Sequence, residues 1–144
     1  MIDDFDYVRK LGEGGFGFVV HCIKASTGKH YAMKIQTKKG LLDCYSDDPW
    51  RCDGEKQAFA ACQHPFIVPL DYAFQTDSLA IMVLGLATAG DLQKALQESP
   101  DEKLDEERVQ FYAAELVLAL SHLVRVLFSD SSFTVLFLSL TITN

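Results

Sequence analysis

The sequence predicts an α+β fold in which a set of antiparallel strands is followed by helices. Three observations carry this prediction. Short apolar runs that alternate with polar residues dominate residues 5–36, where glycine-containing turns separate them. Similar short runs recur between residues 66 and 84. A long pattern with helical spacing then begins at Asp105.

The first 36 residues are predicted to form three antiparallel strands, at residues 7–11, 17–24 and 30–36. A glycine-rich turn joins the first two, and a turn ending at Gly28 joins the next two, because glycine adopts a positive φ at little cost. In the third strand, alternation places Tyr31, Met33 and Ile35 on one face. Ala32 and Lys34 are predicted on the other.

Residues 37–53 are charged and contain glycine and proline, so we predict a loop there. Residues 55–63 then have the pattern of a helix with an apolar face through Ala58, Phe59 and Cys62. The helix is expected to end before Pro65, which cannot continue it.

Residues 70–75 and 79–84 are predicted to pair as strands across a short polar turn. A short helix follows at Leu92–Gln97, and a long one begins after Asp105, which is a good N-cap. One face of the long helix is predicted from the spacing of Val109, Tyr112, Ala113, Leu116, Val117, Leu120 and Leu123.

Composition excludes several classes of protein. The chain has 144 residues and a net charge of −7, which argues against a nucleic-acid binder. Residues 1–40 nevertheless carry a net charge of +3. This positively charged segment contains the glycine-rich turn, and positive charge there would favour the binding of a polyphosphate. The N-terminus is acidic and does not resemble a signal peptide.

The four cysteines show neither a C-x-x-C pair nor a zinc-binding spacing. We therefore predict free thiols in a reducing compartment, which indicates the cytoplasm, and assign no metal-ligating residue.

The residues with the clearest chemistry form the pattern G-x-G-x-x-G-x-V over residues 12–19, followed by A-x-K ending at Lys34. Glycines at this spacing let backbone amides approach phosphate oxygens without Cβ clashes. A glycine motif alone is weak support for a nucleotide site. Here the motif precedes a strand rather than a helix, which disfavours a dinucleotide-binding turn.

Lys34 shares a strand face with the small Ala32, where an inward-facing lysine needs an anionic partner or phosphates. Glu55, on the next predicted helix, is the natural counter-ion. Taken alone, Lys34 would be a solvated strand residue and Glu55 a helix-surface carboxylate. Two roles are open for Asp91. It is either only the N-cap of the following helix, or an N-cap that also binds a ribose hydroxyl.

At this point the chain resembles a eukaryotic protein kinase. Residues 31–34 (YAMK), 64–68 (HPFIV) and 111–115 (FYAAE) are similar to the AGC group of serine/threonine kinases, including the G-protein-coupled receptor kinase branch and the cyclic-nucleotide-dependent kinases. The resemblance covers residues 5 to about 123. It implies a five-stranded antiparallel sheet plus a regulatory helix, forming the N-terminal lobe at residues 5–90, and the first helices of the C-terminal lobe at 91–123.

The resemblance also implies that ATP is bound and that Lys34 and Glu55 form the catalytic ion pair. The nucleotide-binding positions that it implies are Leu11, Gly12, Glu13, Gly14, Gly15, Phe16, Gly17, Val19, Ala32, Lys34, Leu84, Gly85, Leu86, Ala87 and Asp91.

Each of these positions has an expected role. Leu11 to Val19 would cover the nucleotide, with Phe16 at the tip, and Val19 and Ala32 would lie over adenine. Lys34 would hold the α- and β-phosphates. Leu84 would be the gatekeeper, residues 85–87 the hinge whose backbone meets adenine, and Asp91 the acidic ribose contact. Gly85 departs from the acidic residue usual at its position, at little expected cost.

After Leu123 the sequence departs from the family. The H/Y-R-D, asparagine and D-F-G positions do not follow, so the proton-accepting aspartate and both magnesium ligands have no match. Magnesium and a protein substrate are therefore implied only for the complete family member. We expect a truncated domain that is inactive alone.

Two alternatives to a kinase fragment stay open. One is a kinase-derived module that holds nucleotide or docks on another protein without turnover. The other is a membrane-tethered protein, because residues 124–144 form a divergent apolar tail that we do not expect in the kinase fold. The apolar run 133–142 is only about half of the roughly 20 residues that a bilayer requires, so membrane insertion is disfavoured.

Overall fold

The computed structural model describes residues 2–15, 17–44 and 54–129, except the side chains of residues 44, 55 and 127–129. The chain divides into two compact units. The first contains the described residues of Met1–Ala60 and Pro69–Leu86, and the second those of Ala61–Val68 and Ala87–Asn144.

The first unit is built on a five-stranded antiparallel sheet, as predicted. Its strands are β1 (Phe5–Gly14), β2 (Gly17–Lys24), β3 (His30–Thr37), β4 (Leu70–Gln75) and β5 (Leu79–Gly85). The order across the sheet is β1-β2-β3-β5-β4, so β3 lies in the centre. The turn between β2 and β3 contains Gly28 at a φ of 68°, the left-handed conformation predicted there.

Burial alternates along β3 as the sequence predicts. Tyr31 and Met33 are buried, whereas Ala32 and Lys34 are half-buried on the opposite face. The buried face belongs to the core of the unit, which is formed by Val20, Cys22, Tyr31, Met33, Ile81 and Val83. Central β3 therefore separates a packed apolar face from a more accessible one.

Phe5 connects the two edge strands of the sheet. It lies at the start of β1, and its ring centroid is 5.8 Å from that of Tyr72 and 6.4 Å from that of Phe74, both in β4. It also meets Tyr31 of the central strand edge-on at 5.9 Å. Aromatic contacts at these distances are favourable beyond the area they bury, so Phe5 links β1 to β3 and β4.

Part of the predicted loop at 37–53 is helical, and the loop prediction is wrong there. Helix α1 (Lys38–Cys44) begins directly after β3. Thr37 caps it, because its Oγ1 accepts a hydrogen bond from the Gly40 amide at 3.2 Å. Leu41 is buried and so anchors the helix. Residues 45–53 lie outside the described residues.

The second predicted helix is confirmed as α2 (Gly54–Ala61). Ala58 and Cys62 are buried, in agreement with the predicted apolar face. The helix ends at Ala61, before the predicted stop at Pro65. Cys22 and Cys62 are free thiols, while the side chains of the other two cysteines lie outside the described part of the chain.

The second unit contains α3 (Leu92–Gln97) and α4 (Glu106–Ser129), with a 3-10 turn at Pro100–Glu102 between them. Asp105 caps α4 as predicted, because its Oδ1 accepts from the Arg108 amide at 2.8 Å. The helix continues past Leu123 to Ser129. Residues 130–144, the rest of the predicted tail, lie outside the described residues.

The buried stripe of α4 differs from the predicted face. Ala119 and Leu123 are buried, whereas Val109, Val117 and Leu120 are exposed. The residues that are buried or half-buried are Tyr112, Glu115, Leu116, Ala119, His122, Leu123 and Val126. This stripe includes the small Ala119 and the polar Glu115 and His122. The spacing of apolar residues does not identify these three positions, so the predicted face combined residues of the buried stripe with exposed residues beside it.

Within α4, Glu106–Val126 is long and apolar enough to cross a membrane by length and composition alone. A core helix of a soluble protein passes the same test, so this is weak support for a span.

We predict that Gly17→Ala destabilises the sheet. A Cβ at Gly17 would collide with the backbone oxygen of Ile35 on β3, and backbone cannot move aside easily. Forcing an atom into such a contact costs about 1–3 kcal/mol. The free energy of unfolding, measured by urea denaturation, should fall by this amount.

Gly14→Ala is the matched control, because a Cβ at Gly14 meets nothing within 4 Å. It should change the free energy of unfolding by less than about 0.5 kcal/mol. Equal effects of the two substitutions would contradict the close pairing of β2 with β3 at this point.

Candidate nucleotide site

Four of the residues predicted to contact the nucleotide, Val19, Ala32, Lys34 and Leu84, lie on one face of the sheet. In the strand register, Val19 of β2 lies opposite Lys34 of β3, which in turn lies opposite Met82 of β5. Ala32 lies opposite Leu84. Directly opposed residues of antiparallel strands share a face, so these side chains lie together on the face opposite the core cluster, where Met82 is itself buried.

The glycine-rich segment forms the hairpin between β1 and β2, where Gly14 pairs with Gly17. Leu11, Gly12 and Glu13 belong to β1, and Gly12 lies opposite Val19. Phe16, the predicted tip, lies outside the described residues. The hairpin therefore ends directly beside the face that carries Val19 and Lys34.

The glycines of this hairpin divide into two kinds. Gly17 is needed by the fold itself, because β3 passes too close for a side chain. A Cβ at Gly12, Gly14 or Gly15 would meet nothing within 4 Å. None of these three glycines has the positive φ that favours glycine. Neither crowding nor backbone conformation within the described structure therefore requires glycine at these three positions.

One charged pair lies at the hairpin. Lys10 donates a hydrogen bond to the carboxylate of Glu13, and both side chains are exposed. This hydrogen bond, reinforced by the lysine charge, lowers the pKa of Glu13. The Glu13 carboxylate thus stays ionised at neutral pH, with a compensating cation beside it.

Lys34 is half-buried at the centre of the sheet, which holds the base of its side chain in place. Glu55, its predicted partner, lies in the first turn of α2, but its side chain is outside the described residues. The Lys34–Glu55 ion pair therefore stays a prediction.

The predicted hinge begins at the end of β5. Leu84 and Gly85 belong to the strand, and Leu86 is the last residue of the first unit. The Gly85 amide donates to the carbonyl of Pro69 at 3.0 Å. A donor for adenine would therefore have to come from another backbone group of the segment. Ala87 belongs to the second unit.

Asp91 also belongs to the second unit, where it is the N-cap of α3. Its Oδ1 accepts from the Lys94 amide at 2.8 Å, so the capping role is confirmed. Asp91 also lines a cavity of about 370 Å³ within this unit, together with Glu98, Arg108 and Tyr112. Its contact to a ribose stays a prediction.

Comparison with known proteins decides the family. The model of the protein kinase domain matches residues 5–130 of this chain. The chain belongs to the protein kinase family. The five-stranded sheet is accordingly the sheet of a kinase N-terminal lobe, and the helices that follow are the start of the C-terminal lobe.

The similar curated proteins are AGC-group kinases, as the sequence motifs predict. A RAC family serine/threonine-protein kinase homolog of Dictyostelium discoideum is 37% identical over 85% of this chain and 27% of its own length. G protein-coupled receptor kinase 1 of Caenorhabditis elegans is 40% identical over 88% of this chain and 20% of its own length. The human RAC-beta serine/threonine-protein kinase is 38% identical over 85% of this chain and 24% of its own length. The chain thus spans about a quarter or less of these relatives.

Magnesium is the metal that the kinase family implies, and the described residues do not fit it. No group of three or more His, Cys, Asp or Glu side chains among them could hold a metal ion.

The same sheet face carries a contact that the sequence analysis does not predict. His21 Nε2 of β2 lies at hydrogen-bonding distance, 2.7 Å, from His30 Nδ1 of β3. His21 lies directly opposite Ala32, two residues from His30, so the observed register makes the two histidines diagonal neighbours.

We predict that Asp91→Ala destabilises α3 by about 1 kcal/mol, because the Lys94 amide loses its acceptor. Asp91→Asn keeps a side-chain oxygen and should restore most of the loss. Hydrogen exchange of the α3 amides measures this directly. Equal exchange rates in the wild-type protein and Asp91→Ala would show that the cap contributes nothing.

Proposed function

We propose that the first unit holds ATP, as the nucleotide-binding half of a serine/threonine kinase active site. The observation that carries this proposal is the shared sheet face of Val19, Ala32, Lys34 and Leu84 beside the glycine hairpin. This face joins apolar side chains, a cation and an approachable backbone within one rigid sheet.

Each part of the face suits a different part of ATP. Val19 and the small Ala32 offer a flat apolar surface for the base. The open glycines, Gly12, Gly14 and Gly15, let backbone amides approach phosphate oxygens. Nothing in the described fold requires glycine at these three positions, because a Cβ there would meet no other atom within 4 Å. Close approach of a ligand to the backbone would explain why these residues are glycines.

Lys34 supplies the charge that phosphates require. A lysine ammonium on phosphate makes charge-assisted hydrogen bonds, which are stronger than neutral ones. In kinases a strand lysine of this kind is held by a helix glutamate. We assign these roles to Lys34 and Glu55. The backbone of residues 85 and 86, at the end of the first unit, would meet adenine. The roles expected of Ala87 and Asp91, which belong to the second unit, stay predictions.

For the complete protein we propose transfer of the γ-phosphoryl group of ATP to a serine or threonine hydroxyl of a protein substrate. Magnesium, when bound, would neutralise charge that develops on the phosphates. This chain's own residues position the nucleotide and exclude water from the base. The free thiols of Cys22 and Cys62 agree with a cytoplasmic location, where ATP is available.

Replacing Lys34 with methionine tests the proposal. The substitution keeps most of the apolar stem and removes the ammonium, so ATP should bind about 10- to 100-fold more weakly, the equivalent of losing a charged hydrogen bond of roughly 1.5–3 kcal/mol. Isothermal titration of ATP into the 144-residue chain gives the dissociation constants.

Lys39→Met is the matched control, since Lys39 is an exposed lysine of α1 and its loss changes the net charge equally. It should leave ATP affinity nearly unchanged. Melting curves without nucleotide establish that both variants are folded. Equal affinities for the wild-type protein and Lys34→Met would refute the proposed site.

A further inference from the structure

Two lysines and two tyrosines form a hydrogen-bonded chain of side chains at the surface of the first unit. Lys24, at the end of β2, donates to the hydroxyl of Tyr72 on β4, with Nζ 2.7 Å from Oη. The hydroxyls of Tyr72 and Tyr31 are hydrogen-bonded to each other, and Lys29 donates to the hydroxyl of Tyr31. Tyr31 lies on the core side of β3, so these contacts are separate from the sheet face that we assign to ATP.

The turn between β2 and β3 holds both lysines in place. The Lys24 carbonyl accepts from the amides of Thr27 and Gly28, and the Lys24 amide donates to the Lys29 carbonyl at 2.9 Å. Lys29 also forms an ion pair with Asp71 of β4, at 2.8 Å. One backbone turn therefore presents two ammonium groups to the neighbouring residues 71 and 72.

Tyr72 is the member of this chain of tyrosines that another protein can reach. It is 37% exposed, whereas Tyr31 is 2% exposed. Its strand, β4, lies at the edge of the sheet and has only β5 as a neighbour among the described strands. An edge strand is already extended, and its outer backbone groups are open to a partner. An enzyme that reads an extended segment can therefore approach Tyr72 from this edge.

A phosphate on the Tyr72 hydroxyl would meet positive charge directly. Its phosphorus would be one bond from Oη, so the Lys24 ammonium would lie within hydrogen-bonding reach of the phosphate oxygens. Lys29, next to Tyr31, supplies a second ammonium. Of the acidic groups at this surface, Asp71 is paired with Lys29, and Asp4 acts on Lys24 more weakly than Tyr72 does.

The same contacts prepare the hydroxyl as an acceptor. The hydrogen bond from Lys24, followed by the hydrogen bond with Tyr31, lowers the pKa of Tyr72. The contact with Tyr72 in turn raises the pKa of Lys24, so this lysine stays charged at neutral pH. Both changes favour a negative charge on the Tyr72 oxygen beside a cation.

We propose that Tyr72 is a phosphorylation site for an ATP-dependent tyrosine kinase, and that Lys24 and Lys29 hold the phosphate. In the modification, Tyr72 Oη forms a bond to the γ-phosphorus of ATP. The bond from that phosphorus to the bridging oxygen breaks, ADP leaves, and the phenolic proton passes to a base of the modifying enzyme. The phosphate would join the β2–β3 turn to β4. The proposal does not depend on ATP binding by this chain.

Labelling by the catalytic domain of a tyrosine kinase tests whether Tyr72 is an acceptor in the folded protein. The enzyme is chosen as one that phosphorylates a synthetic peptide of residues 68–77. The 144-residue chain is incubated with it and with magnesium and ATP, and mass spectrometry identifies the modified residues. Tyr72 should be phosphorylated and Tyr31 should not, and Tyr72→Phe should lose this modification. Phosphorylation of the peptide but not of Tyr72 in the folded chain would overturn the proposal.

Phosphorus NMR tests whether the two lysines hold the phosphate. The chain is made with phosphotyrosine only at residue 72, and the second pKa of the phosphate, ordinarily about 6, is measured. It should be lower in the folded chain than in the phosphorylated peptide by about half a pH unit or more, because the ammonium groups favour the dianion. Lys24→Met should remove at least half of this difference. Lys39→Met, which removes an equal charge from an exposed position of α1, should leave it unchanged.

Equal phosphate pKa values in the folded chain and the peptide would overturn the proposal, as would equal values in Lys24→Met and Lys39→Met. Melting curves show whether each variant is folded. If Lys24→Met is not folded, the same comparison is made with Lys29→Met, since Lys29 is exposed and supplies the second ammonium.

Discussion

The register of the central strand is the constraint on which the proposed site depends. Burial of Tyr31 and Met33 holds one face of β3 against the core, because a slip by one residue would move both side chains out of this core to the opposite face. The same alternation forces Ala32 and Lys34 onto the other face. Pairing with β2 and β5 then brings Val19 and Leu84 beside them.

The glycine hairpin combines a requirement of the fold with a feature that the fold does not explain. Gly17 permits the close approach of β2 to β3 and so protects the register. Gly12 and Gly14 lie in the same hairpin with open space above them. In the proposed function, one motif therefore serves two purposes: its last glycine maintains the sheet, and the earlier ones admit phosphates to the backbone.

Local signals were sufficient to predict most of the first unit and part of the second. Alternation and turn residues gave all five strands, and Asp105 was recognised as a cap. Helix α1 was missed because its support is tertiary: Leu41 is buried, and the Lys38 amide donates to the carbonyl of Ser78 at 2.9 Å. The α4 stripe was misplaced because it passes through residues that are not strongly apolar. The histidine pair was missed because spacing in sequence was considered without strand register.

Amide chemical shifts map the contacts of ATP residue by residue. When magnesium and ATP are added to the labelled chain, we expect saturable shifts at Gly12, Gly14, Gly15 and the β3 residues Ala32 and Lys34. The core side of the same strand, at Tyr31 and Met33, should shift less. Saturable shifts confined to the second unit, or no shifts at millimolar ATP, would contradict the assignment of this sheet face to the nucleotide.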